Sequence, residues 1–551
     1  MTRVARVGRG MRGVMAAAGA SPRRKRAGAA VFAVAAAVAM IGVASSQGAT
    51  HQAAANSTVT IAIFQEPDTL DPAAATLIST YQVLQSIFDP LMYQIGGKLT
   101  PGLASKMTVS KDSRVYTFTL RKGVKFQDGT PFNAQAVKFN FDRIVDKNYK
   151  AGTSLGNLGP YDSTKVINKY KVQIRFKKPN ASFENEVTTQ PFGISSPTAI
   201  RKYGASYGDH PVGTGPFTFK QRLKGQRVDL VRNAKYKWGP AGIGNAGPAK
   251  LAGVTFRTLS DNSAQANAVQ TGEITIAQNM NPPDIQKVLA SGKFFRIAQP
   301  ATGIPYAMLL NTQKAPTDDL KVRQALEYAT DQGTIVRTLF SGLVTPATSV
   351  FMAGMQGYSK SQHIYSFDPA KANALLDSAG WTGRSGGIRT KSGNKLSVDI
   401  LSITNFGFDG MAQLLQAQFK AVGVQANLSD EGFPGVFQDY NKGIQNVANF
   451  FYYDVDAFSL RSIFGCEFVG NGLNWAHYCD KTFDAQVDTA NGTSDTKKRT
   501  AAYQKLGQKI MSDAAIIPIY NPNAQFIGPK TLHGLKFTVN TAPLFNNVTM
   551  K

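Results

Sequence analysis

Cysteine is almost absent: the chain has two in 551 residues, Cys466 and Cys479, both inside "CEFVGNGLNWAHYC". Histidine is nearly as scarce, at five scattered positions (His51, His210, His363, His477 and His533). Structural zinc needs four ligands, and only His477 lies near the cysteine pair, so a zinc module has no support. A redox pair would more often be spaced C-x-x-C. P-loop, H-E-x-x-H and EF-hand patterns are missing, as is any fixed-period repeat. Acids are few, 35 against 61 Lys and Arg, for a net charge of +26. Beyond residue 50 no hydrophobic run approaches membrane-spanning length.

The first fifty residues hold no acid but eight bases: Arg3, Arg6, Arg9, Arg12, Arg23, Arg24, Lys25 and Arg26. The apolar run "AGAAVFAVAAAVAMIGVA" and the small residues of "SSQGAT" follow. A basic region, an apolar region and a small-residue exit make residues 1–50 a secretory signal peptide, with an uncleaved N-terminal anchor as the alternative. The arginine pair of "SPRRKRAG" hints at twin-arginine export, but the apolar residues expected just after it are missing. Outside the cytoplasm a sparse cysteine pair reads as a disulfide. Closing a loop of about 14 residues would stabilise the fold by roughly 3 kcal/mol in the chain-entropy model.

Without the eight signal bases, 53 Lys and Arg face 35 acids, leaving +18. These charges are dispersed, with no long basic block and no nucleic-acid module, which fits a basic protein near an anionic envelope rather than a nucleic-acid binder. About 500 mature residues exceed what one core supports, so two or more domains are expected.

Strands and helices alternate along the chain. "RVYTFTLRKGVKF" sets Tyr116, Phe118 and Leu120 on one face of a strand, and "YKVQIRF" does the same with Val172, Ile174 and Phe176. "FDPAKANALLDSAGW" predicts a helix with Asp368 as N-cap, Pro369 at its first position and Gly380 past its end. "FDGMAQLLQAQFKAVGVQANL" predicts a helix, a stop at Gly423 and a short strand. "NSAQANAVQTGEITIA" repeats that order around Gly272. Helix–Gly–strand units imply α/β domains.

Two stretches imitate catalytic motifs. "GASYG" fits G-x-S-x-G, with Asp209 and His210 directly after. A nucleophile elbow needs a buried strand before Ser206 and a helix after it; a short charged helix precedes, and Pro211 forbids a helix behind. "GIGNAG" fits G-x-G-x-x-G, but Pro240 and Pro248 flank it, so it reads as a surface loop. Catalysis has little support, and no cofactor is implied. A secreted hydrolase using Ser206 remains a remote alternative.

An ordered series of segments carries a resemblance: "EPDTLDPA", "SIFDPLMY", "LTPGLASKMTVSKDSRVYTFTLRKGVKFQDGTPFNAQAVKFNFDRI", "HPVGTGPFTF", "LNTQKAPTDDLKVRQALEYATD", "FDPAKANALLDSAGW" and "AAYQKLGQKIMSDAAIIPIYN". Over residues 58–530 the chain resembles the family 5 extracellular solute-binding proteins, the peptide/nickel-type receptors of ABC importers. The resemblance implies a two-lobed periplasmic-binding-protein-like α/β fold (type II, cluster C) with an extra subdomain inserted in lobe one. Carried onto this chain, lobe one is 58–97, 190–305 and 516–551, the insertion 98–189, and lobe two 306–515. The hinge crossings fall near Tyr306 and Ile517. The implied partners are a small-molecule or peptide solute and ABC permease subunits, with no nucleic acid and a monomeric receptor.

The resemblance also points to a site. Dipeptide-type members carry a cysteine pair at this spacing just after their ligand-gripping loop, here "NFFYYDVDAFSL". Asp454 stands where peptide-binding relatives pair an Asp with the peptide's α-amino group, and the aromatic residues around it would leave its carboxylate partly desolvated. The competing reading is that Asp454 caps a turn; Asp456 is the fallback. Phe64, Gln65, Glu66, Tyr306, Asn405, Phe406, Phe408, Tyr452 and Tyr453 are the further candidates, the aromatic ones as stacking surfaces or as ordinary core. Dipeptide receptors place an Arg before the lobe-two helix to hold the carboxylate; here "NFGFDGMAQLLQ" has Asp409 and Gly410 instead, so a bidentate clamp is not evident. That favours longer peptides or a ligand without a free carboxylate there. A metal chelate, an oligosaccharide or a signalling peptide is the alternative ligand. "IGVASSQG" lacks the cysteine that lipid anchoring uses, so the expected location is extracytoplasmic, in the periplasm or cell envelope, either free after export or tethered by an uncleaved N-terminal anchor.

Overall fold

The computed structural model describes residues 57–403, 409–432 and 435–551. The signal or anchor expected over residues 1–50 lies outside the described residues. Among the described residues no helix is long and apolar enough to cross a membrane.

The expected elements form where their punctuation puts them. Helix Pro369–Ser378 is capped by the Asp368 side chain, which accepts from Lys371 N at 3.0 Å. Helix Asn262–Thr271 is capped by Asp261, stops at Gly272 (φ +81°) and leads to strand Ala277–Gln278. Helix Asp409–Ala421 precedes Gly423 (φ +85°) and strand Gln425–Glu431. The positive φ at both glycines is the left-handed helix end that a side chain would resist.

A six-stranded mixed sheet dominates the C-terminal half, in the order Thr345–Pro346, Ile516–Asn521, Gly303–Leu310, Val447–Tyr453, Ser397–Ile403, Gln425–Glu431. Its central strands are buried almost throughout, as near-continuous apolar runs must be when helices cover both faces. A second mixed sheet orders Thr58–Ile63, Gly253–Thr258, Arg227–Arg232 and Phe217–Leu223. A bridge between Ile61 and Ile276 links it to a three-stranded antiparallel sheet in which Asn523–Pro529 lies between Ala277–Gln278 and Phe294–Pro300. The chain therefore passes between sheets twice, at Ala301–Thr302 and at Pro522. Strand Ile516–Asn521, expected in lobe one, pairs with Gly303–Leu310 in the six-stranded sheet.

A fourth sheet, Ala104–Val109, Val115–Leu120, Lys171–Phe176, Tyr161–Asn168, lies wholly within the expected insertion. Tyr116, Phe118 and Leu120 are buried against Val172, Ile174 and Phe176, as their alternation requires. This core also takes in Leu91, Met92, Tyr236 and Trp238 from outside residues 98–189. Nearby, the buried Asp89 carboxylate accepts from Tyr93 Oη (2.6 Å), Thr214 Oγ1 (2.7 Å), Trp238 Nε1 (2.9 Å) and Tyr236 Oη (3.0 Å), tying together segments that all lie outside residues 98–189.

Candidate ligand-binding cleft

Strand Val447–Tyr453 is buried at its first four residues and opens progressively, until Tyr453 is 38% exposed. Its end is held against the first passage between sheets. Gly303 pairs with Tyr453 at φ +126°, and a Cβ there would stand 2.0 Å from the Tyr452 carbonyl oxygen. Only glycine permits that approach. Asp454 N then donates to Thr302 O at 3.1 Å.

Beside this strand end is a cavity of about 390 Å³. One wall comes from helix Ile78–Ile87 (Ile78, Tyr81, Gln82) with Thr153, Asn157 and Glu186. Phe437, residues 450–455, Leu473 and Trp475 also line the cavity, as do Ala301 and Thr302. Among the described residues no Lys or Arg lines it; the charged lining groups are Glu186 and Asp454. Asn449 Nδ2 and Thr302 Oγ1, both on lining residues, have no hydrogen-bond partner.

Asp454 Oδ1 accepts from Val455 N (2.7 Å) and Asp456 N (3.4 Å), so the carboxylate does fold a turn. Burial, with the Asp456 charge behind it, nevertheless pushes its pKa up to about 7. Glu186 ends the one-turn helix Phe183–Glu186, is 7% exposed and lines the same cavity, and its Oε2 has no partner. Burial and the charges of Asp454 and Asp456 raise the Glu186 pKa well above the usual carboxylate range, and its carboxyl is hydrogen-bonded to that of Asp454. Two carboxyls in contact in a desolvated wall cannot both be charged without a counter-ion.

Tyr452, Tyr453 and Asp454 are thus brought together in the cavity wall. Tyr306 is placed behind that wall, stacked between Phe451 (4.4 Å) and Tyr520 (4.5 Å), where it supports Phe451. Phe64, Gln65 and Glu66, also expected at the site, do not line this cavity. Phe64 is 45% exposed, and Glu66 accepts from Arg222 at 2.8 and 3.1 Å. Asn405, Phe406 and Phe408 lie outside the described residues. Asp456, the fallback, is 1% exposed and takes two hydrogen bonds from Arg499 (2.5 and 2.9 Å) and one from Asn185 (2.8 Å).

Sequence reasoning missed Glu186, Tyr81, Asn449 and Trp475. Glu186 carried no local mark, since "FENEVTT" looks like any solvated turn. Trp475 had one, its place inside the cysteine loop. Cys466 and Cys479 form a disulfide with Cα atoms 4.4 Å apart, closing the loop that presents Leu473 and Trp475. Asn474 stiffens the same loop by donating to Gly465 O (2.9 Å) and Tyr478 O (2.7 Å). His477 Nε2 lies 2.9 Å from Tyr440 O, a structural contact. Ser206 donates to Tyr203 O at 2.7 Å in a 3₁₀ turn that follows a helix, and the His210 ring stacks on Tyr203, so the elbow geometry is not formed.

Residues 98–467 match the family model of the bacterial extracellular solute-binding proteins, family 5. The chain is 31% identical over 528 residues to the glutathione-binding protein GsiB of Salmonella choleraesuis, covering 93% of this chain and 98% of that protein. Among solved structures it resembles NikA from Brucella suis in complex with Fe(III)-EDTA, at TM-score 0.80, 25% identity and coverage of 90% and 100%. The oligopeptide-binding protein AppA from Bacillus subtilis, in complex with a nonapeptide, shares the fold at TM-score 0.72, 22% identity and coverage of 90% and 99%.

Proposed function

The chain belongs to the bacterial extracellular solute-binding proteins of family 5, the substrate-binding receptors of ABC importers, and from that premise we propose that its solute is oligopeptide-like, carries an amine and is anchored at Asp454. The observation that carries this reading is the wall chemistry: a basic protein has built a cavity whose charged lining groups, among the described residues, are two carboxyls. Such a site selects a cation. Neutral donors of Asn449 and Thr302 suit an amide or hydroxyl oxygen, and the aromatic wall suits an apolar side chain.

A cavity of about 390 Å³ is small for an enclosed solute, near the low end of the ~300–1,000 Å³ usual for ligand sites. That size favours a short solute over the longer peptides the missing arginine had suggested. The lobes of the proposed receptor divide at Ala301–Thr302 and Pro522. The second boundary is moved from residue 516 because strand Ile516–Asn521 shares the six-stranded sheet. The protein works outside the cytoplasm, is exported by the segment at 1–50, acts with a permease and performs no catalysis of its own. A metal chelate, as NikA holds in its solved complex, is the second reading; a cavity with two carboxyls is poorly suited to an anionic chelate.

The deciding experiment is mass spectrometry of whatever copurifies with the exported protein. A small amine lacking a free carboxylate is expected; an anionic chelate or a neutral sugar in its place would overturn the reading.

A further inference from the structure

We propose that Glu186 is a second specificity-determining carboxyl of this cavity, which with Asp454 receives a primary ammonium in exchange for one proton. The inference rests on the receptor reading above and deepens it. The two groups come from elements distant in the chain, Glu186 from the helix Phe183–Glu186 and Asp454 from just past the end of strand Val447–Tyr453. Glu186 is 93% buried, and nothing donates to its Oε2; its carboxyl meets the neutral Asn157 side chain and the other carboxyl.

The groups around the pair supply no counter-charge. Asp456 and Glu184 are acids. The Tyr81 and Tyr452 hydroxyls are held protonated by burial, with the negative charge of the pair adding to it. Asn157 is neutral. Arg499, the cation behind them, is committed to Asp456 through both nitrogens. In the empty cavity a shared proton therefore fills the role of counter-ion, held on a carboxyl whose pKa burial and the Asp456 charge raise to about 7.

An entering ammonium makes that proton redundant. The proton leaves to solvent, the carboxylates become two, and the ammonium adds one positive charge, so the net charge buried in the cavity stays the same. Proton release on cation binding follows as it does for metal ligands. A primary ammonium has three N–H donors and can serve both carboxylates at once. A quaternary ammonium has none and leaves both oxygens unpaired, at the cost of a desolvated charge. Glu186 thereby separates primary amines from bulkier cations, whereas Asp454 alone would accept either.

The test uses trialanine amide, whose amino group is free and whose carboxyl is blocked, titrated calorimetrically at pH 6 in two buffers of unlike ionisation enthalpy. About one proton should be released per amide bound, and Kd should fall roughly tenfold per pH unit below about 7 and level off above it. Glu186→Gln should reduce the release and lessen the pH slope, because burial still raises the carboxyl that remains, and Asp454→Asn should do the same. In the empty protein, the carboxylic-acid infrared band at pH 6 should lose intensity with either substitution.

Binding of the amide with no proton released, or an unchanged pH slope in E186Q, overturns the exchange and leaves the receptor reading standing. Failure of the amide to bind overturns the amine-receptor reading instead. The infrared difference then decides the pair by itself, and its absence overturns the shared proton.

Discussion

Asp454 and Asp456 stand two residues apart on one loop and meet opposite fates. Asp456 is buried and paired in a fork with Arg499, whereas Asp454 faces a cavity. Asp454→Asn should therefore leave the fold intact and cost an amine ligand about 2–5 kcal/mol, roughly 30- to several-thousand-fold in Kd. N-acetylating the ligand should reproduce that loss and add little to it; equal affinity in the variant would disprove the anchor. Asp456→Asn strands the Arg499 charge in the interior and should destabilise the protein by about 3–5 kcal/mol, read from its urea midpoint. Glu327 is buried with neither carboxyl oxygen partnered, and burial raises its pKa well above the ordinary 4.5. A group that binds its proton more tightly when folded contributes stability below its unfolded pKa and loses it as pH rises above about 4.5. Glu327→Gln, which stays neutral, should gain in melting temperature over wild type progressively from pH 5 to pH 8. A gap independent of pH would show that Glu327 is not protonated in the fold.

Among the elements, the cysteine loop connects covalent structure to the site. The disulfide closes a segment that carries Leu473 and Trp475 into the cavity, and Trp475 packs edge-on against Phe437 (4.9 Å) and Phe450 (5.2 Å). Replacing both cysteines by serine should destabilise the protein by about 3 kcal/mol in the chain-entropy model. The same variant should bind solute more weakly, because the loosened wall must be ordered again on binding. Thermal unfolding and calorimetry read the two effects separately; unchanged affinity would mean that Asn474 and the ring packing position the loop without the bond.

For the whole molecule, the two passages at Ala301–Thr302 and Pro522 leave few covalent constraints between the six-stranded sheet and the rest. A hinge of that kind allows lobes to close on a ligand. Adding a binding solute should compact the protein in solution scattering. It should also raise the melting temperature by mass action, with about 2.7 kcal/mol of added stability at a hundredfold excess over Kd. An unaltered scattering profile at saturation would rule out closure.

Helix caps, strand faces and the family were legible in the residues themselves because they depend on local order: Asp368 caps its helix, Gly272 and Gly423 end theirs, and Tyr116, Phe118 and Leu120 alternate into one core. The aromatic loop and its Asp454 were legible for the same reason, through the ordered segments that resemble the family. Tertiary structure alone decided which acid faces the cavity and which pairs with Arg499, since both sit in one short stretch of similar composition. It alone moved Glu66 to Arg222 and Tyr306 behind Phe451. It alone brought Glu186 to Asp454, because the burial of a carboxyl and the charge it faces are set by distant segments and not by its sequence neighbours.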